Sequence, residues 1–314
     1  MADIKKTVTL GEQAAYQLSN VPKTAPQFDS LTPRFLPRLL EWKALESGVF
    51  RLNKVKEGET PLDLLCSQKS GQTTIPEGFV DYEDKPREYV LNSISTIVNI
   101  KTRIADIYSN PFDQVKEQLR LAIESIKERQ ESELINNDDY GLLKNAHDSQ
   151  RIQTRKGFAT PDDLDELISK VWKEPSYFLA HPRAIAAFGR ECTRRGVPPA
   201  TVNLFGSSFL SWRGIPLVPT NKLFVDGLKE PKSQAGKTNI LLVRIGEQKQ
   251  GVIGLHQANL PGEQTRGLSV RFMGIDKNAV ASYLVSIYCS AAILTKDAVG
   301  VLEDVDVGNY YDYQ

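Results

Sequence analysis

The sequence predicts a mixed α+β fold, and three observations carry that prediction. Two segments begin with helix caps followed at once by proline: Thr160-Pro161-Asp162-Asp163 opens "DDLDELISKVW", and His181-Pro182 opens "RAIAAFGRECTRRG". The segment "SYLVSIYCSAAIL" alternates, with Tyr283, Val285, Ile287, Cys289, Ala291 and Ile293 on one side of a strand. No internal repeat links these parts.

Each element follows in chain order. Residues 1–35 are polar and dotted with Pro22, Pro26 and Pro33, which forbid a continuous helix. Such an arm has little to fold on within itself, and the amphipathic "RFLPRLLEW" is expected to anchor it. Residues 48–100 read as a stretched hairpin of "GVFRLNKV" and "REYVLNSISTIVNI", too thin to hold a core and expected to rest on another element or subunit. Asn110 and Pro111 mark a helix start, and Phe112, Val115, Leu119, Ala122 and Ile126 recur at helical spacing over 111–136, with strongly charged other faces. At about 1.5 Å per residue this helix runs roughly 40 Å.

The second capped helix closes with Arg194, Arg195 and Gly196, a cation-rich last turn and a glycine stop. "SFLSWRGIPLVPTNKL" then reads as strand, glycine turn, strand and stop, with no acid–base or nucleophilic group besides Arg213. The strand "NILLVRIG" and a glycine-rich stretch over 251–275 lead into the alternating strand.

Composition narrows function by exclusion. The chain has 314 residues, 40% of them hydrophobic, enough for one large domain or two modest ones. Lys+Arg and Asp+Glu are both 39, so electrostatics supplies no reason to expect nucleic acid or an anionic membrane as partner. Cys66, Cys192 and Cys289 form no CxxC pair, which argues against a disulfide scaffold or structural zinc and fits a reducing compartment. The start lacks a signal peptide's apolar run, and no stretch is long enough for a membrane span, so a cytoplasmic location is expected.

Catalytic signals are weak throughout. There is no HExxH, GxGxxG, P-loop or GxSxG. His147 reads as part of a polar loop and His181 as a helix cap. His256 reads as a turn residue, with a surface or pore-lining place as the alternatives. Cys192, flanked by Glu191 and Arg194, has neighbours able to tune a thiol, but a structural helix cysteine is the simpler account. Cys289 reads as core. No catalytic, metal-binding or cofactor-binding residue is assigned.

The order of parts resembles the tailed-phage major capsid fold as used by encapsulins. "FLAHPRAIAAF", "WRGIPLVPTNKL" and "YLVSIYCSAAILTKDAVGVLEDVDV" carry that resemblance. "EQLRLAIESIKERQESELINNDDYGLLKNA", "TPDDLDELISKVW" and "FLAHPRAIAAFGRECTRRGVPP" are similar to the second encapsulin family, which includes proteins known as mycobacterial major membrane protein. With no room for an inserted nucleotide-binding domain, the chain resembles the type 2A branch.

The resemblance implies an N-terminal arm (1–47), an extended loop (48–104), a peripheral domain (105–170 and 286–314) with a spine helix, and an axial domain (171–285). It implies a T=1 icosahedral shell of about 60 subunits, enclosing a cysteine desulfurase linked to sulfur metabolism or storage. The shell subunit itself would be no enzyme and bind no cofactor, pyridoxal phosphate being expected only on the cargo. The segment Arg195, Gly196, Val197, Pro198, Pro199 and Ala200 corresponds to a loop at the five-fold axis, a possible pore lining. Two rival readings remain at this level: an enzyme using Cys192 or a histidine, and a phage capsid protein that packages nucleic acid.

Overall fold

The computed structural model describes residues 32–56, 80–101, 114–226, 236–308 and 310. The arm before Thr32, the connection over 57–79 with Cys66, and Asn110, Pro111 and Phe112 lie outside the described residues.

Two sheets organise the chain. The larger has seven strands, in the order Arg151–Gln153, Val299–Asp306, Lys237–Val243, Tyr177–Ala180, Ile215–Pro219, Ser207–Trp212, Ala200–Leu204. Its central strands are buried on both faces. Phe178, Ala180, Leu217, Ile240, Leu242 and Leu302 face the helices Pro161–Lys170 and Pro182–Arg194. Tyr177, Leu179, Val218, Leu241, Val243 and Val301 face the opposite way, into a core shared with Phe35, Leu36, Leu134 and Ile135. Burial on both faces explains why "ILLV" over 240–243 is continuously apolar instead of alternating.

The six-stranded sheet is built on the long strand Val280–Ile293. Asn92–Lys101 pairs along one edge, over Val280 to Cys289. The other edge is shared end to end by Leu268–Ile275 and Val252–Gln257. The spine helix Gln114–Asn136 lies on one face, with Leu119, Ile123 and Ile126 against Ile94, Val98, Val270, Val285 and Ile287. The extended loop is therefore rooted on its own chain: Val49–Leu52 pairs with Arg87–Val90, and Asn92–Lys101 continues into the sheet.

Two strand pairings cross the boundaries expected from chain position. Val299–Asp306, placed in the peripheral unit, pairs with Lys237–Val243. Val252–Gln257, placed in the axial unit, pairs with the end of Val280–Ile293 from Cys289 to Ile293, placed in the peripheral one. The chain passes between the two sheets from Lys101 to Arg151, after Val243 and again after Ile293.

The hairpin around Trp212 is architectural. Arg213 and Gly214 both have positive φ, 50° and 83°, the geometry of a type I′ turn matched to strand twist. Trp212 Nε1 donates to Asp165 Oδ1 at 2.7 Å, and Arg213 donates to both Asp165 oxygens at 3.1 and 2.9 Å. The indole meets Phe188 edge-on at 5.6 Å. The turn is thereby pinned to both helices of that layer.

Candidate functional site

The arm enters the described structure at Thr32 and is held by a ladder of carboxylates on the spine helix. Glu124, Glu128 and Glu131 are spaced i, i+4, i+7 and share one stripe. Arg34 pairs with Glu124 and also donates to its carbonyl at 3.2 Å. Glu128 accepts from the Thr32 backbone N–H at 2.7 Å, from its hydroxyl, and from Lys222 Nζ at 2.6 Å. Glu131 Oε1 accepts the Leu36 N–H at 3.2 Å. Arg34 sits at φ 50°, a conformation costly for a non-glycine residue and held here by its ion pair.

Beyond the ladder, the short helix Phe35–Leu39 buries Phe35 and Leu36. Phe35 meets Phe209 edge-on at 5.3 Å and stacks on Phe205 at 5.7 Å. Trp42–Leu45 then adds as a parallel strand beside Val252–Gln257, with Trp42 opposite Gly254. A Cβ at Gly254 would stand 2.7 Å from the indole, so glycine lets the ring seat.

The ladder's acids are tuned in opposite directions. Burial raises Glu128, but hydrogen bonds from Lys222 and Thr32 outweigh it and hold the carboxyl below its usual range. Burial pushes Glu131 up, and the Leu36 N–H offsets this only in part. For a raised carboxyl, the stabilising contribution is complete below the unfolded value and is lost as pH rises through the folded one. Glu131→Gln keeps an acceptor for Leu36 and removes the buried charge. The variant is expected to melt above wild type at pH 8, with the difference closing by about pH 4, read by thermal unfolding across pH. Glu128 is common to both proteins and cancels from the comparison.

The sequence-predicted segment 195–200 closes the helix Pro182–Arg194 as expected. Gly196, at φ 71°, donates to Thr193 O at 3.0 Å, and Val197 N–H donates to Cys192 O at 2.9 Å, the paired bonds of a Schellman cap. Arg195 is tied to Glu191 at 2.6 Å and Asp162 at 3.0 Å. Val197, Pro198 and Ala200 are exposed and Pro199 is half-buried, forming a stiff projecting turn.

The histidines and cysteines do not converge. His181 caps its helix by accepting the Arg183 N–H, and His147 accepts the Ser149 N–H in the same way. His256 is no turn residue: it lies within Val252–Gln257, half-buried, its ring edge-on to Trp42 at 6.3 Å. The difference arises because the adjacent strands Trp42–Leu45 and Val280–Ile293 pair on both sides of it. Burial pushes the Cys192 thiol up to about 11, with Glu191 adding to the effect, so it is no thiolate at neutral pH. Burial also pushes Cys289 up to about 12. Among the described residues, no group of three or more His, Cys, Asp or Glu is placed to hold a metal ion, and no helix is long and apolar enough to cross a membrane.

Several large apolar side chains are left exposed. Ile97, Phe272, Met273 and Ile275 on the six-stranded sheet are more than half exposed, as are Val90, Trp172 and Phe224. Large side chains left bare in such number mark surfaces made for protein contact.

A family model described as "Type 2A encapsulin shell protein SrpI-like" matches residues 50–309. The chain belongs to that family. Type 2A encapsulin shell protein SrpI of Synechococcus elongatus is 57% identical over 100% of this chain and 99% of its own length. The cryoEM structure of the holo-SrpI encapsulin complex from the same organism superposes with a TM-score of 0.82, covering 98% of this chain and 100% of that one. A chain of Microbacterium phage Oxtober96 has a TM-score of 0.59 at 12% identity, covering 94% of this chain and 99% of that chain, a likeness of fold alone. The type 2A relatives are named as shell proteins, not enzymes. The encapsulin fold thus accounts for the spine helix, the rooted extended loop and the structural role of Cys192. The carboxylate ladder went unread in the sequence because its glutamates merge into a run of surface charge. Their shared stripe opposite Thr32 and Arg34 was the one available signal.

Proposed function

We propose that copies of this encapsulin chain close into a T=1 icosahedral shell in the cytoplasm, that the shell encloses a cysteine desulfurase, and that it serves sulfur metabolism or storage. The observation that carries the reading is 57% identity along the whole chain to SrpI, a shell protein. The bare apolar side chains support assembly, since repeated heterologous contacts bury them and a closing rotation ends in a shell. The formal net charge of zero favours an enzyme cargo over packaged nucleic acid.

In this reading the subunit does no chemistry and holds no cofactor, and pyridoxal phosphate belongs to the cargo. The cargo docks through a disordered segment that gains affinity by burying apolar side chains as it orders. Many weak sites suffice, because an enclosed guest meets a high effective concentration of them. The stiff turn Arg195–Ala200 lies at the five-fold axis and lines a pore.

Co-expression with a cysteine desulfurase from the same organism, followed by size fractionation and electron microscopy, tests each part separately. Uniform closed particles with the desulfurase inside are expected. Empty particles that never retain the enzyme would remove the cargo assignment and leave the shell. Absence of particles would remove the shell, and a particle map with residues 195–200 far from every axis would remove the pore.

A further inference from the structure

Where the arm helix, the spine helix and the six-stranded sheet meet, a cavity of about 310 Å³ is lined by four cations: Arg34, Arg38, Lys127 and Arg266. Trp42 and Ile287 supply its apolar wall. Among the described residues, no carboxylate lines it. Two of the cations are partly spent, Arg34 on Glu124 and Glu128, and Lys127 on Glu124 at 3.8 Å. Arg38 and Arg266 have no ion-pair partner among the described residues.

The wall is set by its surroundings. Trp42 Nε1 donates to Pro37 O at 2.8 Å, which satisfies the indole's polar edge. Arg266 rides on a turn fixed by Gly267, at φ 68°, whose carbonyl accepts the Tyr288 N–H at 2.9 Å. A Cβ at Gly267 would stand 2.7 Å from Tyr288 O, so the turn is close-fitted to the long strand. The nearby Glu263 carboxylate accepts the Gly267 N–H at 3.1 Å and forms no ion pair with Arg266.

We propose that this cavity is a binding site for a small anion, a carboxylate or phosphate carried on a compact, partly apolar molecule. Guanidinium forks match both oxyanions, while Trp42 and Ile287 favour an apolar remainder. The volume falls at the small end of small-molecule sites. Because Arg38 belongs to the arm helix and Arg266 to the sheet, a bound anion bridges the two and stabilises the docked arm by mass action.

Isothermal titration of the purified, assembled protein with phenyl phosphate, phenylacetate and the uncharged benzyl alcohol tests the site. Saturable binding of at least one anion and none of the alcohol is expected, and the two anion arms separate phosphate from carboxylate preference. Arg38→Gln with Arg266→Gln is expected to weaken binding about tenfold or more while particles still form, as both side chains are exposed. Neither anion binding, equal binding of the alcohol, or unchanged affinity in the double variant would each overturn the proposal.

Discussion

Arg244→Ala is expected to lose about 3–5 kcal/mol of stability, the cost of breaking a buried ion pair from one side. Arg244 is 0% exposed, yet its guanidinium donates to Asp297 at 2.8 and 3.3 Å, to Thr295 Oγ1 at 2.8 Å and to Gln250 O at 3.3 Å. Its backbone N–H donates to Ala298 O at 2.9 Å. These bonds staple together the two passages between sheets that follow Val243 and Ile293. Burial alone raises the Asp297 carboxyl, but hydrogen bonds from Arg244, Thr295 and Lys173 overcome it and hold the group far below the usual carboxylate range.

For such a lowered carboxyl, the stabilising contribution is complete above the unfolded value and disappears as pH falls through the folded one. Wild type is thus expected to keep this contribution to well below pH 4, whereas Arg244→Ala moves acid unfolding to higher pH. Denaturant titration at pH 7 and an acid titration read both effects. A variant within about 1 kcal/mol of wild type would mean that water or Lys173 replaces the guanidinium. Arg244→Met combined with Asp297→Leu is expected to recover part of the loss, since two apolar groups leave no buried charge behind.

Leu36→Ala is expected to cost about 2–5 kcal/mol at the arm's anchor. Leu36 is 0% exposed, packed in the core shared by the spine helix end and the seven-stranded sheet. Its neighbours Phe35 and Leu40 leave the arm few other buried side chains, so the loss falls on docking of residues 32–45. Faster amide exchange across Phe35–Leu45 is expected, with protection retained in Lys237–Val243, and closed particles by electron microscopy should be few or absent. Particles as numerous and heat-stable as wild type, with exchange unchanged, would show that the arm helix is dispensable for assembly.

Local chemistry was legible from the sequence alone. Thr160 caps its helix as expected, with Asp163 adding a reciprocal bond, His181 caps its helix, and Gly196 stops the same helix in a left-handed turn. Each is decided by groups within about five residues, so sequence neighbours suffice. The mixed class and the encapsulin resemblance were legible for the same reason, through capped helices, the Trp212 hairpin and the alternating strand.

Tertiary structure decided what depends on distant partners. Sequence alone assigned the spine helix's glutamates to its charged surface, but three of them face the arm, and Glu131 is buried because Leu36 descends on it from 95 positions away. Chain order placed Val299–Asp306 apart from Lys237–Val243, whereas antiparallel pairing joins them. His256 reads in sequence as a turn residue, but it lies in a strand where Gly254 makes room for Trp42, brought by the arm. Strand pairing and burial are set by contacts across the chain, and no short window contains both partners.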